Sequence, residues 1–425
     1  MHEPRTPRDI DVLVIGAGPA GIAAACAAAD AGTRVAVIDD NPAAGGQIWR
    51  GGAAVAAGEA CRWFDRLSRS GAALHESTAV IDARPRSDGP PVIRTRSPEG
   101  VAEWRPRAIV VATGGRERFL PFPGWTLPGV VGAGGLQALV KQGLDVHGRR
   151  IVVAGTGPLL LAVADLLVAK GATIVAVAEQ ASWGRIARFA ASLVSHPGKI
   201  AQAIGIRRAI GPTLRPGTFP VAVRETDGHG LVVTLASGSP GRECLREVAC
   251  DVLACGFGLV PNVEIALALG CEVHRGGIAV DGFGATTVPG VWAAGECVGV
   301  GGVEKSLVEG RVAGLAASDR LAEAAVLLPK VRRWRRFAAM LDRTFALDRR
   351  LAQLASADTV VCRCEDVVAG RLACQRSWRE AKLMTRIGMG PCQGRVCGPA
   401  AAALFGWSPD DVRPPLAAVP LGDLR

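Results

Sequence analysis

Apolar residues along this chain gather in two long stretches, 12–29 and 151–178, each broken by Gly and Pro. In the first, residues 12–15 read as a buried strand that runs into Gly16, Gly18 and Gly21. A helix of small residues is predicted over 22–31, then Gly32 and a second strand over 35–38 closed by Asp39. Strand, glycines, helix and acid together form the dinucleotide-binding βαβ pattern in its full context. Gly16 permits the tight turn, Gly18 lets backbone N–H groups approach a pyrophosphate at the positive end of the helix, and Gly21 lets helix and strand pack closely. Pro19 and Ala20 complete the turn, and Asp39 stands where an adenosine ribose is accepted. The bland alternative, a Gly-rich turn in an ordinary α/β protein, does not account for the whole pattern.

The second stretch nearly repeats the first. A strand over 151–154 leads into Gly155-Thr156-Gly157-Pro158-Leu159-Leu160, a helix over 161–170, Gly171, and a strand over 173–178 ended by Glu179. This is an internal repeat of two nucleotide folds. Leu160 replaces the third glycine and is expected to push the helix away from the strand. Nucleotide binding through Gly155, Gly157 and Glu179 therefore stands level with a structural relic.

Around these units the pattern is coarser. A helix is predicted over 53–70, a buried strand over 108–111, and a Pro-stiffened crossing over 116–135. The stretch 222–235 is β-rich, and 251–256 reads as a strand. Cys250 and Cys255, five positions apart in what reads as one strand, point to opposite faces and stay unpaired. Residues 291–296 form a strand ending in Gly295-Glu296, and 303–321 a helix. Over 330–351, Val331, Trp334, Phe337, Leu341 and Phe345 recur at helical spacing between arginines. That segment reads as a linker helix with a solvated basic face in preference to a partner-docking surface.

The C-terminal segment changes the picture. Cys362-Arg363-Cys364 is followed, after a gap of 27 residues with helical segments, by Cys392 and Cys397 in a Gly-rich context. Four thiolates in two close pairs repel unless a metal neutralises them. Arg363 and Arg395 offset negative charge, and Glu365-Asp366 is expected to open a helix. The C-x-C spacing is unusual for zinc, and the plant-type ferredoxin spacing is not matched. The spacing alone leaves an iron–sulfur cluster, zinc and unliganded cysteines open.

The chain has 425 residues, enough for two or three domains, and 54 glycines with 49% hydrophobic residues fit a compact α/β protein. The net charge of +10 comes from scattered arginines without a nucleic-acid motif, so partner subunits or anionic cofactors explain it better. No export signal follows the polar leader, and no apolar run is long enough to span a membrane. Twelve cysteines then point to a reducing, cytoplasmic setting. No C-x-x-C and no nucleophile–base arrangement occur, so no catalytic base is assigned.

Several of these elements resemble two-dinucleotide flavin oxidoreductases. The loop with Asp40, Gly46 and Gln47 resembles one that touches FAD there, and Thr113-Gly114 resembles the strand end beside the flavin. Gly295-Glu296 matches a position usually occupied by Asp, whose carboxylate accepts from the ribityl chain. The segment with Cys362, Cys364, Cys392 and Cys397 resembles the small bacterioferritin-associated-ferredoxin-like (BFD-like) 2Fe–2S domain. Taken with Gly-Thr-Gly-Pro-Leu-Leu, Gly-Met-Gly-Pro-Cys-Gln-Gly-Arg-Val-Cys-Gly-Pro and the tail Arg413-Pro414-Pro415, nearly the whole chain is similar to one family. This is the family of FAD and 2Fe–2S subunits of bacterial heteromeric amino-acid dehydrogenases. It includes the corresponding subunits of opine oxidase, D-hydroxyproline dehydrogenase and hydrogen cyanide synthase.

The resemblance implies an α/β, tandem Rossmann-like flavoprotein with a small C-terminal helical cluster domain. It divides the chain into FAD-binding parts at 1–120 and 266–328, an inserted NAD(P)-binding-like domain at 121–265, a linker helix at 329–357 and a BFD-like domain at 358–425. It implies FAD and a 2Fe–2S cluster. It leaves open NAD(P), another nucleotide or nothing at the second site, and an FMN shared at a subunit interface. The implied partners are an amine-oxidase-type flavoprotein subunit that oxidises an amino acid or opine, and a small ferredoxin-like subunit. Electrons would pass onward from this chain to an acceptor, through which it would touch the inner membrane. A stand-alone NAD(P)H-dependent FAD reductase is the runner-up, and a zinc-holding regulatory flavoprotein without enzymatic activity is the alternative from another class.

Overall fold

The computed structural model describes residues 7–86, 91–195, 197–228, 230–408 and 412–424. Residues 1–6, most of the polar leader, lie outside them. The chain forms two compact units: Met1–Arg116 with Val260–Ala339 and Asp410–Arg425, and Glu117–Leu259 with Met340–Pro409.

The first unit is built on β1 (Arg8–Ile15), α1 (Pro19–Asp30), β2 (Val35–Ile38), α2 (Glu59–Arg69), β3 (Ala73–His75), β4 (Ala79–Arg84), β5 (Val92–Ser97) and β6 (Gly100–Val111). Its seven-stranded sheet has the order β3-β2-β1-β6-β5-β4, with strand Val291–Ala293 also paired to β6. β1 runs parallel to β2 and β6, while β4, β5 and β6 form an antiparallel meander. Alternate residues feed two cores, as strand geometry requires. Val12, Val14, Val35, Val37 and Val110 face α1 and α2. Leu13, Ile15, Ile38, Ile109 and Val111 face Ala266, Leu269 and Ile278. The predicted helix over 53–70 is shorter, a single turn at Ala53–Val55 and then α2.

α1 begins with Pro at its first position and is buried on nearly every side. The cause is helix Val303–Ala317, which lies directly on it. A Cβ on Gly310 would fall 2.1 Å from the Ala20 carbonyl oxygen, and one on Gly314 2.2 Å from that of Ala24. The two helices therefore meet backbone to backbone through small residues, and the late segment of the first unit docks onto its beginning.

The second unit holds a five-stranded parallel sheet in the order Leu214–Pro216, Thr173–Glu179, Arg150–Thr156, Val252–Phe257, Val130–Gly132. α3 (Ala133–Lys141) and α4 (Pro158–Ala169) cover one face through Leu136, Val140, Leu160, Val163 and Leu167. A three-stranded antiparallel sheet covers the other, with Phe219, Val233 and Leu235 in the core. Cys250 and Cys255 correct the single-strand expectation. Asp251 turns the chain between strands Cys244–Cys250 and Val252–Phe257, and both thiols enter the same core. They are unpaired, as expected.

The linker helix also differs from its predicted bounds. It starts at Leu321 and runs 24 residues to Thr344 with Pro329 inside, carrying the chain from the first unit into the second. Within the second unit, the Trp125 indole donates to the Val360 carbonyl (2.6 Å), and Arg363 lies 5.5 Å over its ring. The cysteine segment has its own small core of Val361, Val367, Leu372, Trp378 and Ile387. Glu365-Asp366 lies in the turn of a short hairpin, Val360–Cys362 against Val367–Val368, and does not open a helix.

Gly310→Val is expected to destabilise the first unit by about 1–3 kcal/mol or more, because the clash is with backbone. Gly205→Ala, in the exposed helix Pro197–Ile210 with open space around its Cβ, is expected to add about 0.5–1 kcal/mol. Urea unfolding of both variants against the parent protein measures the contrast.

Candidate functional site

The glycine turn of the first unit stands at the carboxyl end of β1. Gly16 has φ +104°, and a Cβ there would fall 2.4 Å from the Ala112 carbonyl oxygen. Gly21 is still tighter, its Cβ direction meeting the Gly16 carbonyl oxygen at 1.7 Å. Neither position admits a side chain. No side chain caps α1, so the N–H groups of its first turn are available to an anion. Gly46, at φ +60°, lies against Gly18, where a Cβ would come 3.1 Å from the Gly18 Cα. The neighbouring Gly45 N–H donates to the Ala17 carbonyl (2.7 Å). Gln47 is exposed and accepts from Arg50 (2.8 Å), and Asp40 is exposed.

Asp39 braces this turn. Its carboxylate accepts from the Ala17 N–H (2.5 Å) and from the Asn41 backbone and side-chain amides (2.8 and 2.7 Å). At the end of β6, Asn262 clasps the Thr-Gly element. Thr113 Oγ1 donates to the Asn262 carbonyl (2.7 Å), and Asn262 Nδ2 donates back to the Thr113 carbonyl (2.8 Å). Gly295, at φ +86°, presses on Ala20, so the Gly295-Glu296 turn lies beside the start of α1. Gly16, Gly18, Pro19, Ala20, Gly21, Gly46, Thr113, Gly114 and Gly295 thus share one end of one sheet, the place where open α/β sheets take nucleotides. An uncapped helix start with side-chain-free walls fits the pyrophosphate of FAD.

A charged network behind this turn escaped the sequence reading. Lys305 and Glu309 are both buried, with Nζ 2.6 Å from Oε2. Lys305 also donates to the Gly295 and Gly299 carbonyls (3.0 and 2.8 Å), Glu309 accepts from the Gly295 N–H (3.2 Å), and Arg335 donates to its second oxygen (2.8 Å). The turn is fixed from both its N–H and its C=O sides. The available signal was an i,i+4 Lys–Glu pair in a helix otherwise rich in small residues, which reads equally as a surface pair. Burial raises the Glu296 carboxyl pKa, against the Lys305 charge and a hydrogen bond from Gly302 that lower it.

In the second unit Gly155 and Gly157 also have positive φ, +137° and +102°, and a Cβ on Gly155 would meet the Gly256 carbonyl oxygen at 1.9 Å. Leu160 at the third-glycine position is fully buried. Its Cδ2 lies 3.3 Å from where a Cβ on Gly256 would be, so the neighbouring strand gives the room. Glu179 is buried and accepts from Thr156 Oγ1 (2.8 Å), Gly157 N–H (2.7 Å) and Ala181 N–H (2.8 Å). Burial pushes its pKa up to about 7 in spite of these bonds. Glu117, facing the start of α3, is likewise pushed up to about 7 by burial while accepting from the Gly134 N–H (2.8 Å).

The four C-terminal cysteines meet crosswise. Cys362 is hydrogen-bonded to Cys397, and Cys364 to Cys392. The Cys397 thiol beside Cys362 pulls its pKa down to about 5, aided by the Gly388, Glu365 and Cys364 amides against the cost of burial. The same contact pushes Cys397 up. Gly390 admits Cys364 closely, since a Cβ there would fall 3.3 Å from its sulfur. Among the described residues no group of three or more His, Cys, Asp or Glu side chains has metal-binding geometry, so the structure shows two thiol pairs. As a donor set, four soft sulfurs with backbone amides directed at one of them suit an iron–sulfur cluster.

Two nucleotide folds of this type define a class, and known proteins agree with it. The pyridine nucleotide-disulphide oxidoreductase family matches residues 10–318. The A-type subunit of opine oxidase from Rhizobium meliloti is 33% identical over 97% of this chain and 98% of its own. Hydrogen cyanide synthase subunit HcnB of Pseudomonas aeruginosa is 32% identical over 91% of this chain and 90% of its own. The L-proline dehydrogenase of P. horikoshii shares the fold, with a TM-score of 0.68 at 17% identity over all of this chain and 81% of that one. The protein is an FAD-dependent oxidoreductase of the pyridine nucleotide-disulphide oxidoreductase family, and within it the chain belongs with the A-type subunits of opine oxidase and with HcnB. Among the described residues no helix is long and apolar enough to cross a membrane.

Two outcomes follow from the buried charges. Lys305→Met leaves Glu309 with Arg335 as its one charged partner and is expected to cost about 3 kcal/mol or more in urea unfolding, with partial recovery in Lys305→Met/Glu309→Gln. Glu179 binds its proton up to about pH 7 when folded but only to about 4.5 when unfolded, so its contribution to stability falls as pH rises between those values. Glu179→Gln is therefore expected to be relatively more stable at pH 7.5 than at pH 5, by on the order of 3 kcal/mol, when the two proteins are unfolded at both pH values.

Proposed function

We propose that this chain is the electron-transferring subunit of a heteromeric cytoplasmic dehydrogenase that oxidises an amino acid or opine at its carbon–nitrogen bond. One observation carries this reading. The likeness to the A-type subunit of opine oxidase runs through the cysteine-bearing segment as well as both nucleotide folds, over 97% of the chain. On this reading an amine-oxidase-type flavoprotein partner holds the substrate, and a small ferredoxin-like protein completes the assembly. The absence of a nucleophile–base arrangement in the sequence supports a substrate pocket elsewhere.

Residues 1–120 and 266–328 are assigned to FAD, 121–265 to an inserted nucleotide-type domain, 329–357 to a linker, and 358–425 to the cluster. Gly16, Gly18, Pro19, Ala20 and Gly21 would hold the FAD pyrophosphate, and Asp39 and Asp40 would face its adenosine side. Gly46, Gln47, Thr113, Gly114, Gly295 and Glu296 would line the rest. Cys362, Cys364, Cys392 and Cys397 would hold a 2Fe–2S cluster. When bound, FAD would take electrons as a pair and release them one at a time, and the cluster would carry them singly. This chain's own residues do the holding. The α1 amides neutralise phosphate charge, Lys305 and Glu309 fix the turn beside the flavin position, and Arg363 and Arg395 offset thiolate charge. An FMN at an interface with a partner and contact with the inner membrane through the acceptor are secondary expectations of the same reading.

Purified with its partner, the protein is expected to show flavin absorption and about two iron atoms per chain. Cys392→Ser is expected to lose the iron and the reduction of an artificial acceptor by amino acid or opine, while keeping its FAD. Zinc without iron, iron unchanged in Cys392→Ser, or substrate oxidation by this chain unaided would overturn the proposal.

A further inference from the structure

A dinucleotide site of this fold needs the space over the carboxyl ends of both strands open to solvent. In the second unit that space is taken by the chain itself. Glu179 is braced by Thr156, Gly157 and Ala181 much as Asp39 is by Ala17 and Asn41 in the first unit, so the acid itself does not set the two sites apart. Above it runs the segment 343–350. Gln180, directly after the acid, donates to the Ala346 carbonyl (2.9 Å) and the Phe345 carbonyl (3.4 Å), and its Oε1 accepts from the Asp348 N–H (2.9 Å). Thr156, inside the glycine turn, gives its hydroxyl proton to Glu179 and lies with its oxygen 3.5 Å from the Phe345 carbonyl oxygen. Arg185 donates to the Arg343 and Ala346 carbonyls (2.9 and 3.2 Å).

The segment is also held by packing. The Phe345 ring meets Phe189 edge-on at 5.5 Å, and Leu347 and Leu351 join the core that contains Ala154 and Ala178. Arg350 ties its far end, bonded to Asp348 (2.8 Å) and the Gly238 carbonyl (2.9 Å) and lying 4.8 Å over Phe219. The peptide groups of 345–348 thus offer Gln180 the acceptors and donor that a ribose diol would offer.

We propose that the chain's own segment 343–350 takes the place of an adenine dinucleotide in the second nucleotide fold. The residues there do not fit NAD(P) with the segment in place. The fold that would bind nicotinamide in a relative serves in this chain as a socket for the linker between the long helix and the cysteine segment. This goes beyond the electron-transfer reading and is tested without turnover.

Hydrogen exchange on the full-length protein tests it with NADH or NADPH at about 1 mM, the upper end of ordinary cofactor affinities. Neither nucleotide is expected to alter exchange at 155–157 or 343–350. Gln180→Ala is expected to speed exchange of the 345–348 amides about tenfold or more by freeing the segment. Arg185→Ala, at a half-buried side chain, gives the same readout if Gln180→Ala fails to fold. Slowing at 155–157 by either nucleotide in the parent protein overturns the proposal, as does unchanged exchange of 345–348 in the folded variants.

Discussion

The contact on which the first unit depends is made by backbone, not by side chains. α1 and helix Val303–Ala317 touch at Gly310 and Gly314, where even a methyl group would overlap the Ala20 and Ala24 carbonyls. Because the helices approach this closely, the turn at Gly295 can rest on Ala20, and a segment nearly three hundred residues downstream completes the site begun at Gly16. The small residues of α1 serve two ends at once. They let the helix start sit hard against β1, and they leave its back open to a second helix. Close packing of this kind has little slack, since protein interiors lose energy both from voids and from excess volume.

Charge reinforces what packing begins. Lys305 and Glu309 satisfy both polar groups of Gly295 and bond each other, so a turn with no side chain of its own is pinned. Buried ion pairs are often poor stabilisers but good at selecting a single arrangement. Here the selected arrangement is the one that faces the glycine turn.

The readable part of this protein was its punctuation. Gly16, Gly18 and Gly21, the repeat at Gly155, and the four clustered cysteines announce themselves because each residue type is demanded locally, by a backbone angle or by thiolate chemistry. The contacts that were not legible join distant positions with no local requirement. Nothing near Gln180 signals that its amide meets residues 345–348, and nothing near Thr113 signals Asn262. The cysteine count was legible, but the partners were not: neighbours in the chain, Cys362 and Cys364, each pair across to Cys397 and Cys392. The strand at Cys250 differs for a related reason, since the single residue Asp251 suffices to turn the chain between two strands, and one polar position inside a strand reads the same.

Leu160 carries a broader lesson about how such folds drift. The vacancy that a third glycine provides belongs to an interface between helix and sheet, and either wall can supply it. In this chain Gly256, on the adjoining strand, has inherited the duty, and a bulky leucine has moved in opposite. A degenerate fingerprint is therefore an incomplete description when one wall alone is scored.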